Sequence, residues 1–576
     1  MKYKLTAIAL AMISFAVIAG EKTYLWPAGM GPAREAHQIA AMTDVSRKER
    51  FNPDEWREPY LEWFDPPAAE SAKGVCAVLI SGGSYQNCCD VGLIKTWRER
   101  FTALGCQTVN LVYRTPRSEK REIYRSAWED GQRAIRIVRA EAEKRGYSKV
   151  ITVSMSAGSH LATLLATSSL TPAYEPIDDL DAVPANVDAA LVFAMAYGMT
   201  DGAYGGPNAR DGDGIDVKLD PIFKFDEKTP PMCFMHGGRD RYSPFASTFA
   251  YRELRKRKIP AEVHIAPDKP HGAWGLDRGI EFLVELGFLG KKAPAEDLIE
   301  RYSSDDDRAV YAKEDVWPKG KMPDVQKNQT TPFIEWHIPS NLTTKAIQVI
   351  WSGGNYNHCD ANRYEVAPIR RYLNAKGMAV VTLTYRVPRP AAPLAKHVTA
   401  WEDAQRAIRL IRAEAPKYGL DPKRIGVMGS SAGGHLAMMT TTTSRRRAYL
   451  PLDKEDEKTS ASVQWGIAIY PAYGLTDGID RPNKDGGNLD SARLAPEFAF
   501  DTATPPILFV HGDGDGWAAM NSVKAWEQLS RMGIQGELHT LVKRGHCFQK
   551  TAYPGTGSYT YMDRVWEFLT AKGFNK

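Results

Sequence analysis

The chain contains one pattern of residues twice, and this repetition constrains its fold more than any other feature. Ser81-Gly82-Gly83-Ser84-Tyr85 is matched by Ser352-Gly353-Gly354-Asn355-Tyr356. Tyr113-Arg114 is matched by Tyr385-Arg386, Trp128-Glu129-Asp130 by Trp401-Glu402-Asp403, and the run Lys149 to His160 by Arg424 to His435. The repeated unit is therefore a whole domain, not the short unit of a solenoid. A chain of 576 residues is also too long for one hydrophobic core. The expected division is a leader (1–20), a first domain (21–295), a polar linker (296–308) and a second domain (309–576). Trp26-Pro27 and Trp317-Pro318 open the two repeats 291 residues apart, whereas the Ser-Gly-Gly turns are 271 apart. The first repeat thus holds twenty extra residues, expected as a surface insertion within Ala33 to Glu70.

Within each repeat, short apolar runs alternate with segments of helical periodicity. Ala77 to Ile80, Ala189 to Ala194, Ile347 to Trp351, Gly466 to Tyr470 and Ile507 to Val510 read as buried strands. The block around Trp128 and its copy around Trp401 read as amphipathic helices. Strands alternating with helices predict an α/β fold, with two tandem domains, each a mostly parallel sheet with helices on both faces.

The runs Lys149 to His160 and Arg424 to His435 pass from a β-branched strand through a turn of small residues into an apolar helix. Gly429-Ser430-Ser431-Ala432-Gly433 has the G-x-S-x-G form of a nucleophile elbow, and Ser156 occupies the same place in the first copy. There Ser154 stands where the first glycine is expected, and Ser159 and Arg239 are further departures from the second copy. A serine hydroxyl becomes nucleophilic only beside a base, and the base needs an acid to orient it. Such elbows are followed in chain order by the acid and then the histidine. Ser156, Asp240 and His271 satisfy that order, as do Ser431, Asp515 and His546, with identical spacings of 84 and 31 residues. Asp513 is an alternative acid, but Gly238 stands at its place in the first repeat. His236 and His511 are rival bases at strand ends, where a structural histidine is the commoner outcome.

A tetrahedral intermediate needs backbone N–H donors for its oxyanion. Ala157 and Ala432 follow the serines, and Gly82, Gly83, Gly353 and Gly354 lie in the turn after an early strand, so these six are the candidate donors. Tyr85 and Tyr356 follow these turns and are expected to line the pocket. The Trp-Glu-Asp blocks are explained about as well by helix capping and surface packing and stay outside the candidate site.

Other function classes find little support. The net charge of +5 is small, and no basic stripe points to nucleic acid. No nucleotide-binding glycine motif, EF-hand pattern or paired Cys/His spacing is present, so neither a cofactor nor a metal is expected. The seven cysteines are too few and too scattered for a disulfide framework, although Cys359 and Cys547 both fall near the second candidate site and leave a bridge open there. Lys2 and Lys4 followed by the apolar run Leu5 to Ile18 and the small Ala19-Gly20 read as a secretory signal, which predicts a secreted or periplasmic protein with no stable membrane insertion after cleavage.

Taken together, Trp317-Pro318, Ser352-Gly353-Gly354, Tyr385 to Arg389, Trp401 to Ala407, Gly429 to His435, Pro505-Pro506 with His511-Gly512, and His546 resemble the lipase/esterase type of α/β-hydrolase. More narrowly, the repeats resemble bacterial acetylxylan esterases and bifunctional acetyl/feruloyl esterases. The resemblance implies a serine carboxylic ester hydrolase acting on an acylated plant-type polysaccharide or oligosaccharide such as xylan. Two alternatives remain at this level: a serine peptidase of the same fold, and a chain in which only repeat two is catalytic, with repeat one a binding or structural module. The leader reading predicts that the exported protein begins at Gly20 or Glu21; N-terminal sequencing of secreted material starting at Met1 would overturn it.

Overall fold

The computed structural model describes residues 20–43, 58–67, 74–88, 91–200, 218–290, 312–363, 365–443, 445–476, 492–548 and 561–576. Residues 1–19 of the expected leader and the whole expected linker lie outside them. The first repeat forms strands β1 (Glu21–Tyr24), β2 (Tyr60–Phe64), β3 (Val75–Ile80), β4 (Gln107–Val112), β5 (Lys149–Met155), β6 (Ala189–Phe193), β7 (Met232–Gly237) and β8 (Ala261–Ala266). The second forms β9 (Ala312–Asp315), β10 (Phe333–His337), β11 (Ile347–Trp351), β12 (Ala379–Thr384), β13 (Ile425–Ser430), β14 (Trp465–Ile469), β15 (Ile507–Gly512) and β16 (Glu537–Leu541).

Each half has the same spatial order, β1-β2-β4-β3-β5-β6-β7-β8 and β9-β10-β12-β11-β13-β14-β15-β16. The first two strands of each half pair antiparallel, and the other six run parallel. Strands β3, β6, β7, β11, β13, β14 and β15 are buried along their whole length, as central parallel strands covered on both faces must be. In the first half, helices Arg125–Ala140, Ala157–Thr167 and Phe245–Lys256 cover one face. Val91–Ala103 and Leu276–Glu285 cover the other, burying Trp97, Phe101, Ile280 and Phe282. The fold class is α/β, as the alternation of elements implied.

The two halves meet edge to edge. Strands β8 and β16 pair antiparallel, with Ile265 opposite Leu538 and His264 opposite His539, so all sixteen strands form one sheet. His264 and His539 occupy corresponding positions in the two repeats, so an approximate twofold axis passes between them. Their Nδ1 atoms are 2.9 Å apart, and each Nε2 faces a glutamate, Glu262 at 2.9 Å and Glu537 at 2.7 Å. Around this pair the symmetry breaks into specific polar contacts. Arg255 donates to the carboxylate and carbonyl of Asp513 at 3.3 and 2.9 Å, and the Val542 N–H donates to Glu262 at 2.6 Å. Phe245 packs on Trp526 across the seam with ring centroids 5.6 Å apart. Meeting edge to edge covers two strand edges that would otherwise stand open to pairing with another chain.

The expected insertion is narrower than Ala33 to Glu70. Gln38 donates to the Pro116 carbonyl and the Ser126 hydroxyl, as Gln329 does to Pro388 and Thr399, so Gln38 belongs to the repeated framework. Tyr60 pairs with Val112 as Phe333 pairs with Thr384, so β2 belongs to it too. Tyr60, Leu61 and Trp63 are buried. Eighteen of the twenty additional residues therefore fall between Gln38 and Tyr60, and the other two between Tyr60 and Ser81. Among the described residues no helix is long and apolar enough to cross a membrane.

Burial lowers the His264 pKa to about 3 and holds His539 below its usual value. An unfolded imidazole takes up its proton near ~6.5. Between those values the unfolded chain binds more protons than the folded one, so stability must fall as pH drops from about 6.5 toward 3. Urea unfolding midpoints measured from pH 7 to 4 should decline steadily; a midpoint independent of pH over that range would contradict the buried-histidine seam.

Candidate active sites

Each candidate serine ends a central strand. Ser156 follows β5 and precedes helix Ala157–Thr167; Ser431 follows β13 and precedes helix Ala432–Thr443. Both serines have φ of 59°, a left-handed backbone that non-glycine residues seldom adopt. The turn is held there by a close approach of backbones. A Cβ on Gly158 would lie 2.4 Å from the carbonyl oxygens of Ile80 and Ser81, and one on Gly433 would lie 2.5 Å from that of Ser352. A Cβ on Gly429 would lie 2.3 Å from the Gly433 oxygen. Repeat one tolerates Ser154 at the corresponding place because its hydroxyl donates to the Leu191 carbonyl at 3.0 Å. It also meets Ser159 Oγ at 3.2 Å, and Ser159 donates to the Phe193 carbonyl at 2.7 Å. The two sequence departures at this elbow thus satisfy one another.

Chains that are far apart in sequence converge on these serines. His271 Nε2 lies 2.9 Å from Ser156 Oγ, and its Nδ1 lies 2.8 Å from Asp240. His546 Nε2 lies 2.7 Å from Ser431 Oγ, and its Nδ1 lies 2.8 Å from Asp515. In this arrangement Nδ1–H donates to the carboxylate and leaves Nε2 to accept from the serine hydroxyl. Asp240 and Asp515 are fully buried, whereas the two histidine side chains are 17% and 24% exposed, so the relay opens to solvent at its histidine end. Burial alone would raise the Asp515 pKa, but bonds and charges from His511 and His546 outweigh it and hold the acid at about 2. Asp240 is depressed in the same way by His236 and His271.

His236 and His511 do not meet the serines. His511 Nδ1 faces Ser522 Oγ at 2.8 Å, and its Nε2 sits 2.9 Å from the Trp517 carbonyl and 3.3 Å from Asp515. His236 does the same with Ser247, Tyr242 and Asp240. Both histidines back the acid. The rival acid Asp513 is turned away to Arg255 of the other repeat, and burial raises its pKa to about 6.

On the opposite side of each serine, Gly82 and Gly353 approach so closely that a Cβ would lie 2.8 and 2.7 Å from the serine Cβ. Gly83 and Gly354 have φ of 122° and 112°, which only glycine adopts readily. Tyr113 and Tyr385 donate to the carbonyls of Ser81 and Ser352 at 3.0 Å and brace these turns. One candidate donor is corrected: the Gly353 N–H is engaged by the buried Glu365 carboxylate at 2.6 Å, which leaves it unavailable to an oxyanion. Tyr85 and Tyr356 do not line an open pocket as expected. They are buried, and their hydroxyls lie 2.8 and 2.7 Å from Nδ1 of His160 and His435. Those histidines lie on the helix that follows each serine, so the Tyr–His contact ties the Gly-Gly turn to the elbow. His160 and His435 stood in the repeated motif, but nothing in their spacing named the tyrosine as their partner.

The bridge left open between Cys359 and Cys547 is not formed; neither cysteine is in a disulfide. Cys359 instead donates to the Leu383 carbonyl, as Cys88 does to Leu111. The Trp-Glu-Asp blocks are structural. Asp130 accepts from Trp26 Nε1 at 2.7 Å and from Arg114, which also reaches Glu129 at 2.7 Å. Asp403, Trp317, Arg386 and Glu402 repeat the arrangement.

A model of the BD-FAE family matches residues 63–201 and 334–529, together more than half of the chain. The "Probable carboxylic ester hydrolase LipM" of Mycobacterium tuberculosis is 28% identical over 238 residues, which cover 38% of this chain and 49% of that protein. The acetylxylan esterase of Xylanibacter ruminicola is 30% identical over 130 residues, 21% of this chain and 26% of that one. This chain thus spans about half the length of the first relative and about a quarter of the second. Among solved structures, the acetyl ester-xyloside bifunctional hydrolase of Caldicellulosiruptor lactoaceticus is 23% identical, with a TM-score of 0.38 over 46% of this chain and 97% of that one.

Replacing Asp515 by Asn would reverse the hydrogen bond to His546 and present the wrong tautomer to Ser431. Turnover at that serine should fall by about 10⁴-fold with the fold unchanged. The acylation rate of Ser431, compared between Ser156→Ala and Ser156→Ala/Asp515→Asn, checks this; an unchanged rate would dismiss the relay at this site.

Proposed function

The chain belongs to the BD-FAE family, and from that membership and its two Ser–His–Asp relays we propose that it is a serine carboxylic ester hydrolase with two working sites. The observation that carries the reading is the coincidence of a left-handed serine, a histidine Nε2 at 2.7 to 2.9 Å and a buried aspartate at 2.8 Å, found twice. The close agreement of the two geometries favours activity in both repeats over a silent first module.

In repeat two, Ser431 Oγ attacks the ester carbonyl as His546 Nε2 takes the hydroxyl proton. Asp515, held ionised, orients the imidazole and stabilises its cation. The developing oxyanion faces the backbone N–H groups of Ala432 and Gly354. His546 then returns the proton to the leaving alcohol oxygen, the acyl-serine forms, and water attacks it by the reverse sequence. Ser156, His271 and Asp240 perform the same steps, with Ala157, Gly82 and Gly83 around the oxyanion. No cofactor takes part.

The substrate is an acetyl or feruloyl ester of a plant-type polysaccharide such as xylan, a reading supported by the acetylxylan esterase among the relatives. The apolar N-terminal run supports action outside the cytoplasm.

Acetate release from acetylated xylan should drop partially in Ser156→Ala and in Ser431→Ala and vanish in the double variant, with each site losing at least about 10⁴-fold. Activity retained by the double variant would refute the assignment. Loss of all activity in Ser431→Ala alone would confine it to repeat two.

A further inference from the structure

The two repeats differ sharply one helical turn beyond their serines. In repeat one, His160 is fully buried against Tyr124 and Phe223, with ring centroids 5.2 Å away in both cases. Its Nε2 meets no hydrogen-bond partner among the described residues. In repeat two, His397 stands where Tyr124 stands, and Glu497 stands beside Phe498 where Ile222 precedes Phe223. His435 Nε2 lies 3.2 Å from Glu497 Oε1, and His397 Nδ1 lies 3.6 Å from the same oxygen. One ligand atom from each of the three residues falls within 4.8 Å of the other two.

We propose that His397, His435 and Glu497 form a binding site for a zinc-like divalent cation. An ion 2.0–2.1 Å from each ligand at tetrahedral angles sets the ligand atoms about 3.3 Å apart. The separations of 3.2 and 3.6 Å from Glu497 match that spacing. Two imidazoles and one carboxylate form a donor set typical of zinc sites that keep a fourth position for water or substrate. Tyr356 OH lies 2.7 Å from His435 Nδ1, which directs Nε2 toward Glu497 in the way outer partners orient metal-bound histidines. Access is built in: the side chains of Glu497 and His397 are 21% and 13% exposed, whereas His435 is closed off. The ligands lie 38 and 62 residues apart, which no local motif could reveal. Because His435 is tied to Tyr356 and so to the Gly-Gly turn, a bound ion would stiffen repeat two alone.

The test uses the full chain, stripped with chelator and titrated with zinc by calorimetry, and with cobalt by visible absorption. Wild type should bind one equivalent at these residues, with a cobalt d–d band of low-symmetry tetrahedral type and a melting temperature that rises with ion concentration. His397→Tyr/Glu497→Ile, which installs the residues repeat one already folds with, should lose that equivalent and the band. Tyr124→His/Ile222→Glu should gain a second. Tyr356→Phe should weaken binding by about 10- to 100-fold. Failure of the wild type to bind either ion, or an unchanged equivalent in the His397→Tyr/Glu497→Ile variant, would overturn the site and leave a plain His–Glu hydrogen-bond cluster. Neither result depends on esterase activity.

Discussion

One tight approach of backbones, made at each serine, is what the rest of the structure depends on. At each serine the chain reverses from strand to helix so tightly that the helix start touches the carbonyls ending the neighbouring strand. No methyl group fits between Gly433 and Ser352 O, or between Gly158 and the oxygens of Ile80 and Ser81. That contact forces φ of 59° on a serine, a cost of about 1–3 kcal/mol that the surrounding sheet must sustain. In return the hydroxyl is lifted clear of the strand, and the first N–H groups of the helix turn toward the same space. Parallel strands on both sides, buried along their length, make the sheet stiff enough to hold the strain.

Buried charge supplies the second level of order. Arg114 and Arg386 are nearly or wholly buried, and each is caged by an aspartate, a glutamate and backbone carbonyls. Removing one partner of such a cage would strand a charge in the interior, at about 3–5 kcal/mol. The cage links the opening tryptophan, the strand end after β4 or β12, and the helix that packs against the elbow helix. The same logic recurs at the relays, where His236 and His511 back the acids from behind so that each carboxylate has two histidines and no freedom to turn.

The seam gives these two sites a fixed mutual orientation. Two edge strands that would otherwise expose unpaired backbone meet across an approximate twofold axis marked by His264 and His539. The contacts flanking the axis are not symmetric: Asp513 receives Arg255, while its counterpart Gly238 has no carboxylate to offer. A duplicated chain can diverge in this way, because each half is free to mutate separately. The same divergence explains why repeat two has the polar cluster of His397, His435 and Glu497 at the positions where repeat one has the aromatic cage of His160.

Repetition, strand–helix alternation and the spacings of 84 and 31 residues made the α/β class and the six relay positions legible in the sequence, because both copies preserve chain order and turn chemistry. The sequence also exposed Ser154 and Ser159 as departures, but not that their hydroxyls complete one another, since that needs β6 carbonyls brought alongside. It could not show that Glu365 occupies the Gly353 N–H, that Tyr356 closes onto His435, or that Gln38 and β2 belong to the repeated framework. Nor could it show that the edges of the two sheets join. Local pattern determines which elements form and which small residues a turn will accept. Which side chains meet across tens or hundreds of residues is decided only when the strands take their spatial order, because hydrogen bonds and backbone contacts act over a few ångströms and depend on proximity in space.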